Sequence, residues 1–303
     1  MLKSVCGGII FLKMKLTILN DPHINYYGPA SRTDNYYSTT MSEMRQTLDL
    51  HIQEKSDYYI IAGDLFHKAE VHPIARNGVI SLFNEYPYEK YCLIGNHDYD
   101  HNMNKISSSA LGSLILADIV KIYPPPGIRF HHYYDDLIKD LKSGLLESYD
   151  EPIQILHTSI MLEECPGEHI LAKDLKLNPK TKYVVSGHIH TPMLAKFDTW
   201  TFLNVGSLGR NTAGKEHWRL PRVLFLSEDS YYTKTLDTLK HTEIFDLGQR
   251  SKVKSEKDRA SKYISSLYKS WKNIDQKDLR ESGEKRKLEK EVIDKAVSAL
   301  ENI

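Results

Sequence analysis

Short apolar runs of three to five residues recur along the chain, at 16–19, 58–62, 91–94, 153–156, 183–185, 202–205, 223–226 and 231–235. They are rich in Ile, Val, Leu and Tyr and show little alternation with polar residues, which predicts strands buried on both faces. Between several of them the apolar spacing changes to three and four. Met41, Met44, Leu48 and Ile52 form one such stripe, Ala75, Val79, Leu82, Phe83 and Tyr86 a second, and Ile106, Ala110, Leu111, Leu114 and Ile115 a third. Each stripe covers one face of a helix. The turn Pro124-Pro125-Pro126-Gly127 precedes a fourth helical stretch over 135–146, with Leu137, Ile138, Leu141 and Leu145 on its apolar side. Strands that alternate with amphipathic helices predict an α/β domain.

The pattern changes after about Asp246. From Gln249 to Ile303 the chain has 15 Lys and Arg against 10 Asp and Glu, a local charge of about +5, with no Pro and one Gly. Ala260, Tyr263, Ile264, Leu267, Tyr268 and Trp271 trace one helical stripe, and Leu288, Val292, Ala296, Ala299 and Ile303 trace another. At the other end, Val5 to Leu12 is apolar but is cut short by Lys13 and Lys15, with no small-residue cleavage site after it. The expected organisation is an N-terminal extension over 1–13, an α/β domain over 14–246 and a basic helical segment over 247–303.

Composition narrows the class. A chain of 303 residues that is 41% hydrophobic can bury a sizeable core. Forty Lys and Arg balance forty Asp and Glu, so any attraction to a polyanion has to be local. Cys6, Cys92 and Cys165 are odd in number and widely spaced, which argues against a disulfide framework or a zinc-thiolate site and for a reducing, cytoplasmic setting. No apolar run reaches the length of a membrane span, and no membrane partner is expected.

The chemistry concentrates where strands end. Asp21-Pro22-His23, Gly63-Asp64, Gly95-Asn96-His97-Asp98, His157 and Gly187-His188-Ile189-His190 each follow an apolar run directly. In open α/β sheets the crevice at the carboxyl ends of strands brings such segments together. Taken singly, each has an ordinary explanation: Asp64 as a helix cap, Asn96 or Asp98 as a turn residue, His157 as a hydrogen-bonded core histidine. Their ordered conjunction points instead to a metal site. Carboxylate and carboxamide oxygens with imidazoles, and no thiolate, suit Mn, Fe or Zn.

The ordered motifs DPH, GDLFH, GNHD, a lone strand-end His and GHIH resemble those of the calcineurin-like metallophosphoesterase family, over roughly residues 14–230. The resemblance implies a four-layer α/β/β/α sandwich of two mixed sheets, here followed by a short α-helical tail. It also implies two divalent metal ions, with Mn favoured over Mg, Fe or Zn. One would be held by Asp21, His23, Asp64 and His190, the other by Asp64, Asn96, His157 and His188, with Asp64 bridging. His97 is then the candidate proton donor to the leaving group, and Asp98 a candidate to orient its imidazole.

GDLFH and GNHD are most similar to the motifs of SbcD-type DNA repair nucleases, in which the His matching His67 also lies in the active site. On that resemblance Arg32, after the first motif, and Arg210, after Asn204-Val205-Gly206-Ser207, are expected to contact substrate phosphate. Arg219 and Arg222 are expected to be solvated charges, and Tyr26, Tyr27, Tyr36 and Tyr37 to be packed rather than base-stacking. The implied activity is phosphodiester hydrolysis on DNA, exo- or endonucleolytic, as the nuclease subunit beside an SMC-like ATPase, with a homodimer left open. A bacterial cytoplasm or a phage-infected cell would be the setting. The helical tail is expected to lack a counterpart of the cap domain of longer SbcD-type proteins. Two other readings stand: a phosphatase or cyclic-nucleotide phosphodiesterase acting on a small substrate, and a DNA-end-binding scaffold with a structural metal site.

Overall fold

Burial on both faces requires two sheets to stack, and the eight apolar runs form strands of two five-stranded sheets. The computed structural model describes residues 14–99 and 103–246, together with Lys290, Ile293 and Asp294. In chain order the elements are β1 (Lys15–Leu19), α1 (Tyr36–Gln53), β2 (Tyr58–Ile61), α2 (Pro73–Asn84), β3 (Lys90–Cys92), α3 (Ala110–Leu116), β4 (Ile128–His131), α4 (Leu137–Ser143), β5 (Ile153–His157), β6 (Ile160–Met161), β7 (Ile170–Leu171), β8 (Tyr183–Gly187), β9 (Met193–Lys196), β10 (Thr201–Asn204), β11 (Arg222–Ser227), β12 (Tyr231–Thr235) and α5 (His241–Ile244).

The first sheet has the order β12-β11-β1-β2-β3 and the second β4-β5-β8-β10-β9. Strands β1, β2 and β3 run parallel, as do β4, β5, β8 and β10, while β11, β12 and β9 pair antiparallel at the margins. Both sheets are therefore mixed. Leu16, Ile18, Ile60 and Leu224 of the first sheet meet Ile153, Ile155, Val185 and Leu203 of the second in one buried layer. On the outer face of the first sheet, Leu19, Tyr59 and Ile61 pack against Met44, Leu48, Val79, Phe83 and Leu114 of α1, α2 and α3. On the outer face of the second, Leu156, Val184 and Phe202 pack against Leu137 and Leu141 of α4 and against the β6–β7 pair. The result is the expected four-layer α/β/β/α sandwich, with a thin fourth layer.

Several local expectations are corrected. The helix expected over 135–146 stops at Ser143, because Gly144 adopts a left-handed backbone (φ 100°) and a 3-10 turn (Leu145–Ser148) follows. The stripe from Ile106 to Ile115 likewise splits, with Ser109 accepting the Gly112 N–H at 3.0 Å to start α3 afresh. Strand β12 is an exposed margin rather than a buried strand. Strands β4 and β9 carry too little apolar pattern to be read in advance. No helix among the described residues is long and apolar enough to cross a membrane.

The chain divides into two compact units, Met1–Phe245 and Asp246–Ile303. In the second, Lys290, Ile293 and Asp294 are helical and Ile293 is buried. The rest of the predicted helical tail, like the predicted extension over 1–13, lies outside the described residues.

Arg32 and Arg210 do not stand free for a substrate. The guanidinium of Arg32 donates to both carboxylate oxygens of Asp34 at 2.6 Å and to the Arg210 carbonyl at 2.9 Å, and its side chain is 2% exposed. Arg210 donates to Glu43 at 2.8 Å, to the Leu239 carbonyl at 2.6 Å and to Thr238 at 3.3 Å, with side-chain exposures of 1% and 2% for Arg210 and Glu43. Both arginines tie the loops after β1 and β10 to α1 and to the segment around α5. Both guanidinium groups expected at substrate phosphate are engaged within the chain, since a desolvated cation needs its anion close by.

Removing one partner of the Arg210–Glu43 pair leaves a buried charge alone. Arg210→Met is expected to lower stability to urea by about 3–5 kcal/mol, with Arg210→Met/Glu43→Leu recovering part of the loss. A single variant that shifts the urea midpoint no more than a typical surface substitution would show that the pair is solvated.

Candidate metal centre

All five chemical clusters lie at the carboxyl ends of parallel strands, β1, β2 and β3 in one sheet and β5 and β8 in the other. The chain must turn sharply there to aim side chains back along the seam. Asp21 (φ 49°), His23 (φ 48°), Asp64 (φ 50°) and His188 (φ 80°) all take left-handed backbone. Such residues cost on the order of 1–3 kcal/mol each and persist only where surrounding contacts impose them. Here His23 N donates to Asp64 O at 2.9 Å, Leu208 N to Asn20 O at 2.7 Å, and Gly209 N to Asp21 O at 3.0 Å. The His188 N–H donates to the Asp21 carboxylate at 2.9 and 3.1 Å, joining the two sheets at the site itself.

The seven residues singled out in the sequence are brought together. Donor atoms of Asp21, His23 and His190 lie within 4.8 Å of one another, as do those of Asp64, His157 and His188. The Asn96 carboxamide oxygen is 2.8 Å from His188 Nδ1 and 3.2 Å from His157 Nε2. His157 Nδ1 lies 2.8 Å from the Ala62 carbonyl, which can only accept, so Nδ1 carries a proton and in the neutral ring Nε2 is bare. That bare nitrogen faces Asn96 Oδ1 at 3.2 Å and Asp64 Oδ2 at 3.3 Å, both acceptors. One nitrogen and two oxygens that converge in this way can share a proton on His157 or hold a cation between them. The facing Nε2 atoms of His23 and His190, 2.9 Å apart, present the same arrangement next door.

Protonation tendencies agree at every ring but His157. Burial pushes the Asp21 carboxyl up to about 7 against the pull of His157, and burial with the nearby Asp64 takes Asp98 to about 7. Burial also works against ionisation of Asp64, but the His157 and His23 imidazoles hold it below the usual carboxylate range. Burial lowers His188 and His190 to about 4 and His23 well below its ordinary value. Burial opposes protonation of His157 as well, yet Asp64 and Asp21 raise it to about 10, so this ring is the one that the carboxylates favour as an imidazolium. A buried set of carboxylates and mostly neutral imidazoles is a donor set for a divalent metal.

His97 and His67 lie beside this cluster. Their rings stack at 5.3 Å and 17°, and His97 packs edge-on against His23 at 4.9 Å. His97 Nδ1 donates to the His67 carbonyl at 2.8 Å, which leaves Nε2 as its proton-exchanging atom. His97 and Asn96 line a cleft of about 570 Å³ together with Lys68, Glu70 and Tyr99. Asp98 does not orient His97. Its carboxylate accepts from Phe66 N at 3.2 Å and Gly95 N at 2.9 Å, fixing the turns after β2 and β3 to each other.

Further residues surround the site, several of them in places that the sequence did not indicate. Asn20 donates to Ser186 O at 2.8 Å and Asn204 Oδ1 at 3.1 Å, across the sheets. Tyr133, after β4, stacks on His188 at 6.1 Å. Arg219 is held by the carbonyls of His190 at 2.9 Å and Ser207 at 3.0 Å rather than by solvent. Arg222 is exposed, as expected. His217, at which burial takes the ring to about 3, sits 3.3 Å from His190. Tyr36 is buried with its hydroxyl on the His23 carbonyl at 2.8 Å, and Tyr26 stacks on His72 at 4.5 Å. Only the position of Asn20, directly before the first motif, hinted at such a role.

The DNA double-strand break repair protein Mre11 of Archaeoglobus fulgidus is 23% identical over 230 residues, covering 65% of this chain and 50% of that protein. The chain thus spans about half the length of this curated relative. Among solved structures, a dimetal phosphatase from Danio rerio aligns at 13% identity with a TM-score of 0.48, covering 77% of this chain and 99% of the other. An archaeal phosphodiesterase aligns at 16% identity with a TM-score of 0.39, covering 74% and 100%. A sequence model of the calcineurin-like phosphoesterases matches residues 14–192, more than half of the chain and a span that contains all seven converging residues. The chain belongs to the calcineurin-like phosphoesterase family, whose members are metal-dependent phosphoesterases.

Proposed function

We propose that the protein hydrolyses phosphodiester bonds in DNA with two divalent cations, Mn²⁺ foremost, as the nuclease subunit of a complex with an SMC-like ATPase. The observation that carries the phosphoester chemistry is the convergence of metal-ligating side chains from both sheets, with His157 Nε2 at 3.3 Å from Asp64 and 3.2 Å from Asn96. Asp21, His23, Asp64 and His190 would hold one ion and Asp64, Asn96, His157 and His188 the other, Asp64 being shared. When bound, such a pair places positive charge beside a phosphate and makes water a stronger acid.

The chain's own side chains supply the rest. Asp64 Oδ1 accepts the His97 backbone N–H at 2.9 Å, so the residue that both ions would share also sets the turn that carries the proton donor. With Nδ1 anchored on the His67 carbonyl, a protonated His97 ring can pass the Nε2 proton to the leaving oxygen in the cleft. His67, stacked on that ring, excludes water from one of its faces.

Support for DNA as substrate comes from the GDLFH and GNHD motifs and from the 23% identity to a DNA double-strand break repair protein over 65% of this chain. A second reading, a phosphatase or phosphodiesterase for small substrates, is favoured by one finding: the two arginines expected to grip a DNA backbone are locked in internal ion pairs. With Mn²⁺ present, wild-type protein is expected to shorten end-labelled duplex or single-stranded DNA, and intact DNA alongside turnover of a small phosphoester would favour the second reading.

His97→Ala is expected to slow DNA hydrolysis by about 10²–10⁴-fold. The same variant should affect bis(p-nitrophenyl) phosphate much less, because its leaving phenolate is stable without a proton. Calorimetric titration of this variant should still count two Mn²⁺, whereas Asp64→Ala should lose both metal stoichiometry and activity. Equal slowing on both substrates would remove His97 from the role of acid.

A further inference from the structure

The stretch from Gly214 to Arg219 holds His190 at two places. Arg219 donates to its backbone carbonyl at 2.9 Å. His217, fully buried in a short 3-10 turn (Lys215–His217), places Nε2 3.3 Å from His190 Nδ1. On its other side, His217 Nδ1 lies 3.5 Å from the Ser207 hydroxyl, which donates to the Gly209 carbonyl at 3.0 Å.

This chain of contacts resolves in one direction. A hydroxyl has one proton, and Ser207 gives it to a carbonyl, so its oxygen is left to accept from His217 Nδ1–H. The neutral His217 ring then has a bare Nε2, which accepts the Nδ1 proton of His190. His190 is thereby left with its lone pair on Nε2, the nitrogen that faces His23 Nε2 at 2.9 Å. We infer that His217, oriented by Ser207, is a positioning residue that fixes the tautomer and ring plane of His190 and so sets the affinity of the ion held with Asp21 and His23. The inference rests on the proposal that His190 is a metal ligand. An outer partner on the second nitrogen of a ligating imidazole restricts its orientation and raises its basicity, and loss of such a partner costs about 10–100-fold in metal affinity.

The test is Mn²⁺ titration of the full chain by calorimetry, with electron paramagnetic resonance to report whether the two ions are spin-coupled. His217→Phe keeps a ring but offers no acceptor, and is expected to weaken one of the two binding steps by about 10–100-fold while sparing the other, with the coupled signal lost at limiting metal. His217→Gln offers an oxygen near the place of Nε2 and should restore a good part of that loss. Ser207→Ala leaves the ring in place and should weaken the same step less. Urea unfolding of each variant without metal separates these effects from loss of fold. Equal affinities in wild type and His217→Phe, or equal losses in His217→Phe and His217→Gln, overturn the inference while leaving the metal site standing. Wild-type protein that takes up no Mn²⁺ overturns both.

Discussion

Everything in this molecule depends on bringing bare acceptor atoms from two separate sheets to one buried seam. Left alone, such atoms repel one another and lose their water, so they meet only because the backbone forces them to. The force comes from hydrogen bonds that cross the seam: His157 Nδ1 to Ala62 O, His188 N to Asp21, and Asn20 to Ser186 O, each between 2.8 and 3.1 Å. Contact this close leaves no room for side chains on the turns. A Cβ on Gly63 would lie 2.0 Å from His157 Nδ1, and one on Gly187 2.1 Å from the Ala62 carbonyl. Gly63 also has φ 94°, a backbone that other residues rarely adopt. Glycine ahead of Asp64 and ahead of His188 is therefore a condition of the site, and the two-layer core behind it keeps the strand ends in register.

The same seam explains what could be read in the sequence. An apolar run that ends in a polar motif is a local pattern, and strands buried on both faces keep that pattern wherever they pack. The strands β1, β2, β3, β5, β8 and β10 and the groups at their ends were legible for that reason. Marginal strands were less so, since β9 is half exposed and β12 more exposed still, and packing on one face leaves a weak signature in four or five residues. Breaks within helices were missed where one residue decides them, as Gly144 does after α4.

Charged residues were the hardest to place. Arg32, Arg210 and Asp98 all stand beside motifs, and each type does act in active sites. Whether an arginine meets a phosphate or a carboxylate of its own chain depends on Asp34 two positions on and on Glu43 in α1, and nothing in the spacing reveals the second contact. Arg219 shows the converse, since a side chain expected in solvent is drawn in by the carbonyls of His190 and Ser207. His217 lies 27 positions from the histidine it touches, in a segment with no motif at all.

Stability and chemistry are coupled at the seam. Four residues with left-handed backbone and two carboxyl groups pushed up to about 7 are unfavourable features concentrated in one place. The hydrophobic layers on either side compensate for them but do not remove their cause, which is excess lone-pair density in a dry volume. A species that carries positive charge and binds only the folded seam does remove it, and such binding stabilises the native state by mass action. The features that make the cluster costly to assemble are then the ones that suit it to a cation: rigid turns fix the donor atoms in advance, so little ordering remains to oppose binding. On this view the internal ion pairs of Arg32 and Arg210 belong to the same economy of charge. Each pairs a buried or half-buried carboxylate near the first loop with a guanidinium of the same chain, so neither charge is left alone in the interior.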